Sequence, residues 1–295
     1  MLKLVASSPG AVKPALQGLR RQINARLAVL LFANRQHRYD GLSLAMRHAL
    51  LGPGKRLRPT LAVLVGREWD ASPSAALDAG CAIEMVHAAS LILDDLPAMD
   101  NAKVRRGKPT THVVYGVDIA MLAAIALLAR SFSIIHKLSD VAAEQRLDMV
   151  ALLSDAIGDG GLAGGQMQDL HGLHGNRSLD VLASSCALKT GVLFNAAVKM
   201  TATLAAPSDE RCQRMLAFAS HFGLAYQLAD DLTDAMEDAA GQTTCVGLLG
   251  NDAARWLLNT HIESALAHLP SRQSPLALWV ADLFNHPRMT LISTD

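Results

Sequence analysis

Residues 81–100 read CAIEMVHAASLILDDLPAMD, and residues 215–234 read MLAFASHFGLAYQLADDLTD. Each is a nearly uncharged run with apolar side chains at helical spacing, and each closes on a cluster of aspartates: Asp94, Asp95 and Asp100 in the first, Asp230, Asp231 and Asp234 in the second. A helix apolar on most of its surface belongs in a core, so both clusters are expected at the mouth of a core rather than on a solvated face. Asp230 and Asp234 stand one helical turn apart and repel each other unless a cation sits between them. Pro97 cannot continue the first helix, which puts Asp100 on the loop that follows.

Outward from these two runs the same periodicity recurs at about 12–33, 59–69, 74–95, 117–137, 141–157, 179–204, 208–234 and 251–268. The breaks carry Gly and Pro, as at Gly52-Pro53-Gly54, Ser72-Pro73 and Gly107-Lys108-Pro109, and none is long enough for an interdomain linker. No segment reads as a strand. The expectation is an all-α protein: one domain over residues 1–295, a bundle of about ten or more helices around an apolar tunnel. Gly158 to Gly165 (GDGGLAGG) is unusual for such a chain, since glycine costs about 1 kcal/mol relative to alanine in a helix. Either the helix bends there or something packs very close.

Composition agrees with close-packed helices: 51% of residues are hydrophobic and only 4% aromatic. Lys plus Arg and Asp plus Glu are equal at 27 each, so no global field exists to hold nucleic acid or an anionic membrane surface. The four cysteines, Cys81, Cys186, Cys212 and Cys245, lack zinc spacing and read as reduced thiols, consistent with a cytoplasmic protein. The N-terminal segment has too short an apolar run for a signal peptide. The longest apolar stretch, Ile119 to Ala129, falls short of the roughly 20 residues of a membrane span and reads as a buried helix.

One acidic cluster alone would be an ordinary helix end. Two of them, in a chain sparing with charge, suit Mg²⁺, which shares carboxylates with substrate phosphates. The cationic counterparts are compact: Gly54-Lys55-Arg56-Leu57-Arg58-Pro59, then Arg105-Arg106-Gly107-Lys108, then Lys189-Thr190-Gly191. Arginine grips phosphate bidentately and lysine serves as a point charge. Arg105 and Arg106 follow Asp100 closely, so metal ligands and phosphate grips share one loop.

These segments resemble the trans-isoprenyl diphosphate synthases, in order from about Leu44 to Gly250. GKRLRP is similar to that family's GKR(I/L)RP; EMVHAASLILDDLPAMDNAKVRRGKPTTH resembles its first aspartate-rich region; GGQMQDL, LKTG and YQLADDLTD resemble the motifs that follow. The DDxxxxD spacing is similar to bacterial farnesyl and geranylgeranyl diphosphate synthases. The resemblance implies that Asp94, Asp95, Asp100, Asp230, Asp231 and Asp234 bind Mg²⁺, three ions in all, around an allylic diphosphate. It implies that Arg105, Lys189, Thr190 and Gln227 touch that diphosphate. Lys55, Arg58, His87 and Arg106 would hold isopentenyl diphosphate; His87 lies seven residues before Asp94, on the same helical face. Asp94, Asp95, Lys189 and Asp230 would carry the catalysis: ionisation of dimethylallyl, geranyl or farnesyl diphosphate, attack by the double bond of isopentenyl diphosphate, and loss of a proton. Product length in the family depends on the fifth residue before the first motif. Here it is Ala89, followed by Ser90, both small, which implies a C20 product, geranylgeranyl diphosphate, with C15 farnesyl diphosphate the alternative. A homodimer is also implied, with the helix at 117–137 a candidate interface.

One segment departs from the pattern. The family's loop after the second cluster ends near a lysine that reaches the allylic diphosphate, whereas DAMEDAAGQTTCVGLLG is shorter and has Gln242 there. Losing a charge-assisted contact costs about 1–3 kcal/mol. Lys55 and the arginines remain, so a weakened or altered enzyme is expected before a dead one, with a non-catalytic subunit of a heteromeric synthase the alternative. A class I terpene cyclase would replace the second cluster with an Asn/Ser/Glu motif, which is not seen near Asp230.

Overall fold

The computed structural model describes residues 9–32, 40–171, 187–236 and 245–285. Its elements are α1 (Pro9–Phe32), α2 (Asp40–Leu50), α3 (Leu57–Glu68), α4 (Pro73–Asp94), β1 (Val104–Arg105), β2 (Lys108–Pro109), α5 (Thr111–Tyr115), α6 (Val117–His136), α7 (Ala143–Ile157) and α8 (Leu162–His171). After these come a π-helical turn (Ala187–Gly191), α9 (Val192–Ala205), α10 (Asp209–Met236), α11 (Cys245–Leu249), α12 (Asn251–Ala267) and α13 (Pro275–Phe284). The fold is all-α. The two strands form a single two-residue antiparallel ladder, Val104 opposite Pro109 and Arg105 opposite Lys108, a feature the apolar periodicity did not anticipate.

Two compact units emerge, residues 18–157 with 200–206, and residues 1–17 with 158–199 and 207–295. In the first, α4 is the central element and packs against α2, α3 and α6. Its start is set by Ser72, whose hydroxyl accepts from the Ala75 amide, and by Pro73 at the first helical position. Its end follows from Pro97: the last helical residue is Asp94, and the chain folds back so that the Asp100 amide donates to the Asp94 carbonyl at 2.9 Å. Asp100 therefore sits on the turn beyond the helix, as its spacing predicts.

In the second unit the aromatic residues gather. Phe194, Phe218 and Phe222 are fully buried, with Phe222 at 4.8 Å from Trp279 and 5.1 Å from Phe194, ring centre to ring centre. This cluster ties α9, α10 and α13 together. The glycine-rich stretch turns out to do both things its composition allows. The chain breaks between α7 and α8, with the Gly161 amide bonded to the Gly158 carbonyl, and Gly165 lies against the π turn so closely that a Cβ would come within 2.8 Å of the Lys189 amide nitrogen.

Two helices, α4 and α6, have the length and hydropathy of a membrane span. The span-length window of α4 is 72% buried within the protein and that of α6 is 39% buried. The apolar run at Ile119 to Ala129 is thus part of a longer helix, buried along only part of its circumference.

Candidate active site

At the end of α4, Asp94 and Asp95 are both buried, while Asp100 is exposed on the turn. The ladder of β1 and β2 folds the arginines back onto this helix end. Arg105 Nε and Nη2 each lie 2.7 Å from Asp95 Oδ1, joining a carboxylate and a guanidinium that the sequence had only placed on one loop. Burial pushes the Asp95 carboxyl up from its ordinary pKa; Arg105 opposes that shift, Asp100 adds to it, and His112 opposes it more weakly.

Arg106 adopts a left-handed backbone, and its Nη1 donates to the Pro53 carbonyl at 3.0 Å, which brings the RRGK loop against the GKRLRP loop. Between them stands Gly54. A Cβ there would collide with the Arg56 guanidinium and come within 2.8 Å of that of Arg106. In the GKRLRP loop, Lys55 is exposed and Arg58 is buried. Arg56, assigned no role from sequence, proves to be the pin of this loop. Its guanidinium donates to Asn24 Oδ1 at 2.7 Å, to the Gly52 carbonyl at 2.7 Å and to Glu84 Oε1 at 3.3 Å.

His87 is half-buried on α4. Burial pushes its imidazole well below the ordinary value of 6.5, and Arg58, Arg106, Arg105 and Arg56 push it further. Ala89 is fully buried; Ser90 is half-buried and donates to the His87 carbonyl. An open cleft beside Asp95 is lined by Ala88, Leu91 and Ile92 of α4 together with Arg105, Arg106 and Lys108. An apolar wall thus meets a cationic rim.

The second cluster occupies the end of α10. Asp231 is buried and Asp230 half-buried; the side chain of Asp234 lies outside the described residues, as does Gln242. A hydrogen-bonded chain fixes Asp231: Thr190 Oγ1 donates to Gln227 Oε1 at 2.8 Å, and Gln227 Nε2 donates to Asp231 Oδ1 at 2.7 Å. The π turn that carries Thr190 also aims Lys189 at Asp169 of the GGQMQDL motif, 2.7 Å away. Asp169 was missed as an individual residue, although its motif had been recognised; an acid on the exposed side of a helix gives no signal by itself.

Do these residues suit a divalent metal? Buried carboxylates offer the oxygen donors that Mg²⁺ takes, and at Asp95 a cation, the guanidinium, already stands where one is demanded. Among the described residues no three His, Cys, Asp or Glu side chains converge to hold an ion by themselves. An ion here would need further oxygens from a ligand, the usual manner of Mg²⁺ at phosphate sites.

Comparison with known proteins bears on the same residues. Residues 40–266 match the family model described as polyprenyl synthetase. The chain is 41% identical over 277 residues to a geranylgeranyl diphosphate synthase of Pseudescherichia vulneris, covering 90% of each chain. It is 37% identical to a farnesyl diphosphate synthase of Bacillus subtilis, covering 77% of this chain and 81% of that one. Among solved structures it resembles an FPP/GFPP synthase from Zymomonas mobilis, at a TM-score of 0.84 and 33% identity over 94% of this chain and 99% of the other.

Proposed function

The chain belongs to the polyprenyl synthetase family, and we propose that it is a trans-prenyltransferase that condenses an allylic diphosphate with isopentenyl diphosphate, releasing geranylgeranyl diphosphate as its main product. The observation that carries this reading is the group at the end of α4, where an apolar wall, the buried Asp95 carboxylate and a paired set of arginines line one cleft, with Asp94 buried next to it in the chain.

Asp94, Asp95 and Asp100, and likewise Asp230, Asp231 and Asp234, would hold Mg²⁺, three ions with substrate bound. When bound, the metal neutralises the charge of the departing pyrophosphate. The protein's own cations share that task. Arg105 and Lys189, with Thr190 and Gln227, orient the allylic diphosphate; Lys55, Arg58, His87 and Arg106 grip the diphosphate of isopentenyl diphosphate. The allylic carbon–oxygen bond breaks and its electron pair leaves with pyrophosphate, the double bond of isopentenyl diphosphate attacks the cation, and the new cation passes a proton from the adjacent carbon to the released pyrophosphate. Apolar residues of α4 exclude water from that cation.

Ala89 and Ser90 leave room for the chain to grow to C20. The protein acts as one synthase domain and as a homodimer in the cytoplasm, with α4 and α6 as core and interface helices rather than membrane spans. The exposed apolar side of α6 supports the dimer.

The test is a product assay with Mg²⁺, isopentenyl diphosphate and dimethylallyl, geranyl or farnesyl diphosphate in turn, followed by chromatography of the dephosphorylated alcohols. C20 alcohol from wild type, moving to C15 in Ala89→Tyr, is expected. C15 from wild type would give the product as farnesyl diphosphate, and no condensation with any starter would overturn the enzymatic reading.

A further inference from the structure

His221 of α10 and His261 of α12 face one another Nδ1 to Nδ1 at 3.0 Å, with their ring centres 5.3 Å apart. The ring centres lie little farther apart than two ring radii added to the N···N distance, so the nitrogens meet nearly head-on and one donates to the other. His268, the residue that caps α12, stacks on His221 at 5.8 Å and 12°. All three rings are half-buried, at the rim of the core that holds Phe218 and Phe222. None of them has a part in the function proposed above.

We propose that the His221–His261 pair is a proton-operated clasp between α10 and α12, closed while the two rings carry no more than one added proton and opened by the second. In the neutral pair one Nδ1 carries a proton and the other its lone pair. A first added proton goes to Nε2 of the donor ring, and the N–H···N bond survives in charge-assisted form. The second has only the acceptor's Nδ1 left to take. That sets two N–H groups against each other at hydrogen-bond distance and two cations side by side. Burial and then His268 hold His221 below its ordinary pKa, and burial and then His221 do the same for His261, so the surroundings oppose charge on both rings. The charged groups on the elements around the pair are committed or exposed. Glu263 of α12 is exposed and paired with Arg272, Lys189 of the π turn is paired with Asp169, and Lys199 of α9, Arg214 of α10 and Asp282 of α13 are exposed. CVGLL, the sequence of α11, carries no charge. Acid therefore releases a polar tie between the two helices, and does so only at the second proton.

The experiment labels the whole protein with ¹⁵N-histidine and follows the ring nitrogens by NMR from about pH 8 to about pH 4.5. In wild type His221 and His261 are expected to share one titration in two steps, more than about one pH unit apart, rather than to follow two separate curves. His261→Gln should reduce His221 to a single step that moves up toward 6.5, since one of the causes that separates the steps is gone. Should that variant fail to fold, His221→Gln read at His261 gives the reciprocal result. Hydrogen exchange supplies the second readout. Below the second step the amides of residues 218–225 and 258–265 should open about tenfold more often than near pH 7, after correction for the intrinsic exchange rate, the measure of one hydrogen bond lost. Independent single-step curves for the two rings in wild type would overturn the proposal. So would a two-step titration without faster exchange, because the rings would then part without loosening the helices.

Discussion

Arg56 shows how far a single side chain can differ from its neighbours in a motif. The sequence presents Lys55, Arg56 and Arg58 as one cationic group, yet Arg56 has a left-handed backbone at φ 55° and only 5% exposure, with its guanidinium against Glu84. Which basic residue turns inward depends on a partner 28 positions away and on the space left by Gly54, and neither is visible in local pattern. Replacing Arg56 by Met leaves the Glu84 carboxylate buried without its cation, at a cost of about 3–5 kcal/mol. Urea denaturation should show this loss in Arg56→Met and recovery of much of it in the Arg56→Met/Glu84→Gln double variant; a wild-type midpoint for the single variant would rule the pin out. His87 gives a second prediction at this scale. Its folded pKa lies well below the 6.5 of the unfolded chain, so below about pH 6.5 the unfolded state takes up a proton that the native state refuses, and stability falls with acidification. A bound diphosphate leaves the main cause, burial, in place but offsets the smaller one by facing the arginines with negative charge. Pyrophosphate binding near pH 6 should therefore raise proton uptake by His87, seen as a binding heat that changes with the buffer's ionisation enthalpy, and His87→Gln should shrink that dependence to the part set by pyrophosphate's own titration.

At the scale of elements, legibility tracks how local the cause is. The limits of α4 follow from Ser72-Pro73 at one end and Pro97 near the other, all readable in sequence, and the structure places them within a residue or two of expectation. The turn at Ala187–Gly191 is different. Periodicity predicts an unbroken helix over 179–204; residues 179–186 lie outside the described residues, and the next five form a π turn. Its cause is tertiary: Gly165 admits the turn's backbone against α8, and Gly223 of α10 would meet Gly191 Cα at 3.3 Å from a Cβ. Extra-residue turns of this kind often mark functional positions, and this one carries Lys189 and Thr190. Gly165→Ala puts a methyl group 2.8 Å from the Lys189 amide nitrogen, where backbone has no room to yield. The overpacking costs about 1–3 kcal/mol and displaces the turn. The expected result is a KM for the allylic substrate raised about tenfold or more with a smaller change in KM for isopentenyl diphosphate, since the residues assigned to the latter lie on other elements. An equal rise in both would tie the turn to general stability instead.

For the molecule as a whole, the least legible property is which side of an apolar helix stays uncovered. The sequence of α6 is apolar nearly all round and so reads as a buried helix. In the structure Ala120, Ala123, Ala124 and Leu127 face its neighbours, whereas Val117, Met121, Leu122 and Ile125 are 42–59% exposed along the other side. Small residues turned inward and large ones outward is the reverse of what a monomer needs. Val113 and Val114 of α5 are exposed as well, at 48% and 47%. An uncovered stripe of this kind is characteristic of a surface meant for a partner. Because α6 packs directly on α4, a second copy seated on the stripe would brace the helix that ends in Asp94 and Asp95. The homodimer proposal then makes two linked predictions for the Leu122→Glu/Ile125→Glu variant: light scattering gives a monomer mass where wild type gives twice the 31.4 kDa of one chain, and specific activity falls with the loss of bracing. Each buried glutamate would have to be desolvated at the interface, at a cost of several kcal/mol, enough to dissociate a dimer at micromolar concentration. A variant that remains dimeric would place the interface elsewhere and leave the apolar side of α6 for a different partner.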